Sequence, residues 1–518
     1  MSVEKDILKL FTGKIKRNQW LCLLMGLLTG IITHLYMLTN KLPNWDDLTT
    51  FGSYGVSGEH GRWMISRLHA LGADWSAPAL NGMMAIIFLA ISACFILAVL
   101  ELKTTTSAVL LPMIMLTFPG VASSMTFMYV AHIYAVGVFF GCAGAWLIHR
   151  FRYGCIPGVL LLVLCIGTYQ SYICLAAGVL VLALILDLLR QKEFKQVMQK
   201  GVVSLISLGT SMGLYVFISK SVFGGLSDYK GISTMGQINL LELPKEIGRA
   251  YKRILEYFLL KPWSFVSELG RVLNIVVILC LAVLFFFFVW KLRLYKEKGR
   301  LILLCTLLFL LPLALSAIYV IAPEANATVL TLYQYFMVYV VLIGFLELFM
   351  EERLLLASKL PWIKPAVGCI LLMVVFGIGY DNYVLTNSAY FRMDIAFTRI
   401  HSFYERLYIR VTEQEGYSYG DSIAVLGDWW PERNILSSYG MDIERYEEFE
   451  GVAMENGLFT TGVRQSFMKI YLGIDYPPVS ADKMTELMKT EEFANMPDYP
   501  AEGCVRKIDG IWVVRVAD

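Results

Sequence analysis

Two adjacent carboxylates and a nearby arginine are the residues of this sequence best suited to chemistry. Asp46 and Asp47 end the motif NWDD at 44–47, and Arg62 follows in the motif GEHGRW at 58–63. Mutual repulsion and partial desolvation beside a membrane raise the pKa of one carboxylate in such a pair, which makes it a usable proton acceptor. The forked guanidinium of arginine suits phosphate. The pattern therefore predicts general-base chemistry on a phosphate-containing substrate.

The carboxylate pair also has a structural interpretation. Adjacent aspartates after proline and asparagine form an ordinary helix cap, so the motif is compatible with both roles. The sequence does not distinguish which of Asp46 and Asp47 would be the base. A divalent metal could bind the pair, but two ligands do not make a site, so no cofactor is assigned.

The composition indicates a membrane protein. The 518 residues are 57% hydrophobic and only 17% charged, and their mean hydropathy is +0.60. A water-soluble chain of this length does not need so much apolar surface, so most of it must face lipid. The net charge of +2 does not indicate a nucleic-acid partner, and the ten cysteines lack the paired spacing of a disulfide framework or a zinc site.

Long apolar runs predict the membrane-spanning helices. Crossing about 30 Å of hydrocarbon takes about 20 mostly apolar residues. About eleven runs approach that length, and the third and fifth are the shortest. The predicted spans are 20–38, 81–100, 105–119, 125–148, 156–169, 172–189, 202–222, 273–290, 301–321, 329–350 and 366–383.

Basic residues predict the orientation of these spans, because Lys and Arg near span ends stay in the cytoplasm. Alternate connections are basic, whereas the short loops near Val121, Gln170 and Ala325 carry no Lys or Arg. The N-terminus is therefore predicted inside, and an odd number of spans places the C-terminal region outside. We expect a multi-pass protein of a bacterial cytoplasmic (inner) membrane.

Two domains are predicted. Residues 1–386 form an α-helical polytopic membrane domain whose first outer loop is 39–80, and residues 387–518 form a small extracytoplasmic α/β domain. Segment 422–427 has the pattern of a strand, and Asp509-Gly510 lies between two further strand-like segments, a strong hairpin signal.

The second long outer loop, 223–274, contains basic residues interleaved with apolar ones at 249–261. This pattern suits a helix that lies at the lipid surface. It is equally compatible with a surface helix that only closes the fold.

Other residues of the predicted outer side are weaker candidates for substrate binding. They are Trp45, His60, Trp63, Tyr129, His132, Tyr169, Gln170 and Lys220. Polar groups at such a depth commonly line a bundle interior or a cavity. A lone histidine such as His132 more often satisfies a local hydrogen bond. A lysine at a span end, such as Lys220, commonly snorkels to the headgroups.

Four features together resemble the membrane glucosyltransferase family of phage-borne O-antigen conversion operons. They are NWDD after the first span, GRW at 61–63, TYQS at 168–171 and the small C-terminal domain. The resemblance covers nearly the whole chain and is most specific in its N-terminal third. It implies a GT-C-like architecture, acidic residues of the first outer loop that serve the reaction, and a polyprenyl-phosphate sugar as donor.

The resemblance also implies a reaction, a single inverting displacement at the anomeric carbon. Asp46 or Asp47 would remove the proton of the acceptor hydroxyl, and Arg62 would neutralise the departing lipid phosphate. The expected function is transfer of glucose or a similar hexose to a cell-surface polysaccharide or glycopolymer outside the membrane. A lipid-linked donor also explains why no glycine-rich phosphate-binding turn follows a strand.

Two other functions fit a protein with many spans. A lipid-linked-sugar transporter or flippase would suit them equally well. Such proteins often have internal repeats and broken helices at mid-membrane, and the sequence shows neither a convincing repeat nor paired acidic residues within the spans. A polysaccharide polymerase or ligase would be expected to carry arginines in a large outer loop, as Arg249, Arg253 and Arg271 do here. Neither alternative accounts for Asp46, Asp47, Arg62 and the C-terminal domain together.

Overall fold

The computed structural model separates into two compact units. The first comprises Met1–Lys41 with Tyr54–Asn387, and the second comprises Leu42–Ser53 with Ser388–Asp518. The residues that the structure describes are 16–49, 60–72, 75–223, 241–260, 265–323, 328–350, 363–427, 445–446, 449, 451–452 and 461–516.

Helices dominate the described residues. In chain order the α-helices are α1 Arg17–Thr39, α2 Trp45–Thr49, α3 Ile65–Leu68, α4 Pro78–Val99, α5 Thr105–Thr117, α6 Pro119–Thr126, α7 Ala131–Arg150, α8 Cys155–Thr168, α9 Ile173–Leu189, α10 Phe194–Val222, α11 Leu243–Leu255, α12 Glu268–Lys291, α13 Lys298–Leu315, α14 Ile318–Ile321, α15 Met337–Met350, α16 Ile363–Thr412, α17 Thr461–Leu472, α18 Ala481–Met488 and α19 Glu491–Ala494. The strands are β1 Ile423–Leu426, β2 Val505–Ile508 and β3 Ile511–Arg515.

The membrane-spanning helices agree with the predicted polytopic fold. Among the described residues, nine helices are long and apolar enough to cross a membrane, and the bent pair α5 and α6 makes up to ten. The shorter apolar helix α8 occupies the fifth predicted span. All eleven predicted runs are therefore helical, and the two shortest are the bent pair and α8.

Several helix boundaries differ from the prediction, and two of the differences have a clear cause. The third span is broken at Phe118, where α5 ends and α6 begins at Pro119 with a bend of 45°. Pro119 disfavours the helical conformation at the preceding residue, and Phe118 is extended (φ −61°, ψ 138°), which explains the break. The last predicted span, 366–383, does not end there, because α16 continues to Thr412. No glycine or proline occurs between Tyr380 and Thr412 to stop the helix.

The interior of the first unit is built around α9 and α15, whose residues are almost all buried. Glu347 of α15 lies in this interior and is 4% exposed. Its carboxylate accepts hydrogen bonds from the Lys103 amide at 2.7 Å and from the Ser107 hydroxyl at 2.6 Å. Glu347 thus satisfies donors at the start of α5, which would otherwise be costly to bury.

Charged residues join several helices at the predicted cytoplasmic side. Asp187, near the end of α9, lies 2.7 Å from Lys192 and 3.0 Å from Lys200. Lys192 also lies 2.9 Å from Glu101. Burial raises the pKa of Glu101, but the hydrogen bond to Lys192 and the positive charges of Lys192 and Arg190 together lower it below its usual value. These basic residues therefore join helices as well as marking the predicted orientation.

The loop segment predicted to form a surface helix is helical. It consists of α11 followed by a single π turn, Glu256–Leu260. Arg249 pairs with Glu246 at 2.8 Å and donates to the Tyr319 carbonyl at 3.0 Å. Leu260 is 69% exposed. The helix therefore has one side attached to the first unit and another that exposes apolar residues, and its location at a lipid surface remains a prediction.

The second unit contains the predicted strands. The sheet has the order β1-β3-β2, in which β1 is parallel to β3 and β2 is antiparallel to it. Asp509 and Gly510 connect β2 and β3 with positive φ angles of 48° and 79°. Both central residues of a type I′ turn need φ > 0, and Asp-Gly supplies it at low steric cost. The predicted hairpin is therefore confirmed.

The short helix α2 is part of the second unit. It packs against α17, and Leu48 within it is 3% exposed. The predicted domain boundary placed the whole first outer loop, 39–80, with the membrane domain. In the structure, α2 of this loop groups with the C-terminal residues, because it packs against α17.

Two exposed tyrosines allow the predicted orientation to be tested. Tyr419 of the second unit is 79% exposed, and Tyr153, between α7 and α8, is 71% exposed. In a variant without native cysteines, a membrane-impermeant maleimide should label Tyr419→Cys in intact cells. Tyr153→Cys should be labelled only after permeabilisation, because the basic residues beside it are predicted to be inside. The opposite labelling pattern would show that the orientation is the reverse of the predicted one.

Candidate active site

Asp46 and Asp47 occupy different environments at the start of α2. The Asn44 side-chain oxygen accepts from the Asp46 amide at 2.8 Å and from the Asp47 amide at 3.2 Å. In return, the Asp47 carboxylate accepts from the Asn44 amide at 2.8 Å. This reciprocal arrangement is a capping box. Asp47 is 3% exposed, whereas Asp46 is partly exposed.

Asp47 also lies near a phenol of α17. Burial raises the pKa of Tyr471, and the negative charge of Asp47 raises it further. The helix-cap interpretation of the motif therefore applies to Asp47. Asp46, which is next to it and partly exposed, is better placed to exchange a proton with a substrate.

In the first unit, the segment around Arg62 is held by a chain of hydrogen bonds. The Gln170 amide donates to the His60 carbonyl at 2.9 Å and to the Tyr215 hydroxyl at 3.1 Å. The Tyr215 hydroxyl donates to the Gly61 carbonyl at 3.1 Å. Three predicted site residues, His60, Arg62 and Gln170, are thus brought together. Tyr215 was missed because nothing in the pattern of its apolar run distinguishes it.

Arg62 lies over an aromatic ring. Its guanidinium carbon is 4.6 Å from the centre of the Tyr169 ring, and the negative face of an aromatic ring attracts a cation at this distance. The motifs GRW and TYQS are two of the features that carry the resemblance, and the structure places them in contact.

Trp63 has a packing role in the structure. Its ring is 7% exposed and stacks on Phe223 at 5.6 Å with an interplanar angle of 7°. A Cβ atom at Gly167 would lie 2.5 Å from the Trp63 ring, so only glycine allows this approach of α8. The Met64 amide donates to the Gly167 carbonyl at 2.9 Å. Trp63 therefore anchors the segment that carries Arg62.

His132 lies in a second polar location of the first unit. It is fully buried, and neither ring nitrogen has a hydrogen-bond partner among the residues that the structure describes. Within the same residues, the side-chain oxygen of Asn81 also has no partner. A Cβ atom at Gly72 would lie 2.6 Å from the His132 Nε2 atom and 2.9 Å from this oxygen, so the two groups lie close together beside Gly72. The local hydrogen bond expected for His132 is not present.

The remaining candidates are dispersed. Tyr129 is 6% exposed before α7, Trp45 is partly exposed on α2, and Lys220 is exposed in the last turn of α10. Within the described part of the chain, no group of three or more His, Cys, Asp or Glu side chains could hold a metal ion.

A buried carboxylate near the end of the last span was missed by the sequence analysis. Asp381 accepts a hydrogen bond from the Ser267 hydroxyl at 2.5 Å. Asp381, Asn382 and Asn274 line a small cavity with room for about one water molecule. The adjacent Asp-Asn pair inside an apolar run was the available signal, because ionisable residues within spans are rare.

A family model described as Glucosyl transferase GtrII matches residues 35–392. The chain belongs to this family. The match includes α2, Arg62, Gln170 and Tyr215, and it ends within α16. Neither the curated proteins nor the solved structures that were compared contain a match. The family confirms the resemblance derived from the motifs.

The hydrogen-bond chain under Arg62 can be tested by removing one hydroxyl. In Tyr215→Phe the buried Gly61 carbonyl loses its donor, which should cost about 1 to 3 kcal/mol. We expect a lower unfolding temperature of the purified protein. Tyr333→Phe is a matched control, because the Tyr333 hydroxyl is buried in the same unit and has no partner in the described part of the chain. An equal decrease in unfolding temperature in both variants would exclude a specific role for this hydrogen bond.

Proposed function

We propose that this glucosyl transferase moves glucose or a similar hexose from a polyprenyl-phosphate carrier to a cell-surface polysaccharide or glycopolymer. The reaction would take place on the extracytoplasmic side of a bacterial inner membrane. Family membership supports hexosyl transfer. The side of the membrane is inferred from the positions of the basic loops, whereas the carrier and the acceptor are inferred from the family resemblance.

The observation that carries the proposal is the difference between the two aspartates. Asp47 is buried and occupied as a capping group, whereas the neighbouring Asp46 remains partly exposed. A general base must reach the proton that it removes. Asp46 is therefore the proposed base, and Asp47 is proposed to hold α2 in its helical form.

The proposed step is one displacement. Asp46 accepts the proton of an acceptor hydroxyl while the hydroxyl oxygen forms a bond to the anomeric carbon. The bond from that carbon to the phosphate oxygen breaks, and its electron pair leaves with the polyprenyl phosphate. Attack from the face opposite the phosphate inverts the configuration of the anomeric carbon.

Arg62 is proposed to bind the phosphate of the donor. Its guanidinium stacks on Tyr169 and its segment is held by Gln170 and Tyr215. A positioned guanidinium can stabilise the charge that develops on the leaving phosphate. His132 and Asn81 are proposed to bind a sugar hydroxyl, because such a group could donate to the Asn81 oxygen and accept from the imidazole.

Substitution of the two aspartates separates catalysis from capping. Asp46→Asn keeps the shape of the side chain but cannot accept the proton, so hexose transfer should fall by about 10² to 10⁴. Asp47→Asn is the matched control, because its amide oxygen can still accept from the Asn44 amide and asparagine caps nearly as well. Transfer from a polyprenyl-phosphate hexose would be measured with each purified protein.

Equal, full transfer by both variants would show that neither aspartate of α2 is the general base. Transport of the lipid-linked sugar would then be the better assignment. Loss of transfer only in Asp47→Asn would exchange the roles of the two aspartates.

Replacement of Arg62 tests the phosphate contact. A charge-assisted hydrogen bond contributes about 1.5 to 3 kcal/mol, so Arg62→Ala should weaken binding of the polyprenyl-phosphate hexose by about tenfold or more. Arg62→Lys keeps the charge but loses the fork, and should have an intermediate affinity. Arg67→Ala, on the exposed surface of α3, controls for the loss of positive charge. Donor titration of purified protein that finds the same affinity for Arg62→Ala and wild type would exclude this role.

A further inference from the structure

An aromatic cluster lies on α16 and α17 of the second unit. Tyr471 contacts Phe467 at 5.0 Å and Phe397 at 5.3 Å between ring centres. The His401 ring lies 6.4 Å from that of Phe467. Phe467 is buried, whereas Phe397, His401 and Tyr471 are partly exposed. Three partly exposed rings thus rest on one buried ring.

The cluster is next to the aspartate motif. Helix α17, which carries Tyr471, packs against α2. The charge of Asp47 is strong enough at Tyr471 to add to the effect of burial on the pKa of the phenol. The aromatic rings and the proposed base therefore belong to the same part of the second unit.

This combination of groups fits a sugar residue. Aromatic side chains supply large apolar contact area, and a few placed polar groups in such a site fix the orientation of the ligand. A hexose has apolar C–H faces and hydroxyls that donate to carboxylates. An anionic lipid headgroup is the less suitable occupant, because Asp46 and Asp47 are acidic.

We propose that Phe397, His401 and Tyr471 form a subsite for a sugar residue of the acceptor glycan. The rings pack on a C–H face of that residue, and its reacting hydroxyl is directed towards Asp46. The inference rests on the proposed hexosyl transfer and adds to it the group that recognises the acceptor.

The test uses leucine variants, which keep apolar volume but remove the ring. The purified full chain in nanodiscs would receive polyprenyl-phosphate glucose at saturation. The acceptor would be surface polysaccharide purified from the source strain after deletion of this gene. Tyr471→Leu and Phe397→Leu should each raise the acceptor KM by about tenfold, with kcat and donor affinity nearly unchanged.

Two controls accompany these variants. Tyr471→Phe keeps the ring and should retain an acceptor KM close to that of the wild type. Tyr419→Leu removes an exposed tyrosine of the same unit, 79% exposed, and should leave the acceptor KM unchanged. The unfolding temperature of each variant identifies any that fails to fold.

Binding of the same polysaccharide without donor separates this inference from the proposed function. Weaker binding to Tyr471→Leu than to wild type supports the subsite, even if no transfer occurs with this donor. An unchanged acceptor KM and unchanged binding in both leucine variants would overturn the subsite, while transfer by the wild type would still support the proposed function. Reduced stability in lipid with unchanged acceptor binding would identify the cluster as a membrane contact and would also overturn it.

Discussion

The absence of water from the hydrocarbon region is the constraint on which the first unit depends. Every backbone amide and carbonyl that crosses it must be paired within the chain, which leaves helices as the available structure. The same constraint makes each buried polar side chain expensive unless it has partners. Glu347 meets this requirement through the donors at the start of α5, and Asp187 through Lys192 and Lys200. These contacts join helices whose relative positions would be weakly specified by apolar packing alone.

Unsatisfied polar atoms are informative against this background. Among the described residues of the first unit, several buried polar atoms have no partner, and those of His132 and the Asn81 oxygen lie close together. Each unpaired group costs free energy that folding alone does not recover. A ligand hydroxyl that pairs with both would recover it, and this supports their assignment to sugar binding. Asp381 and Asn382 line a cavity of about one water molecule, which is too small for a sugar.

The second unit illustrates how a structural role and a chemical role can be divided between neighbouring residues. Asp47 completes a capping box and is nearly inaccessible, so α2 has a defined start although it contains only five residues. So short a helix is not stable alone, and its packing against α17 stabilises it. The proposed base, Asp46, is thereby placed on a helix that a separate part of the chain supports.

The sequence by itself determined the membrane class, the positions of all eleven apolar helices and the Asp509-Gly510 hairpin, because hydropathy and turn conformation are local properties. It also identified Asp46, Asp47, Arg62 and Gln170 as candidates. The tertiary structure decided which aspartate forms the cap, because that depends on the direction of side-chain hydrogen bonds. It also decided that Tyr215 supports Gly61 across 154 residues and that α2 groups with the C-terminal residues. Such contacts join distant parts of the chain, and no periodicity in the sequence records them.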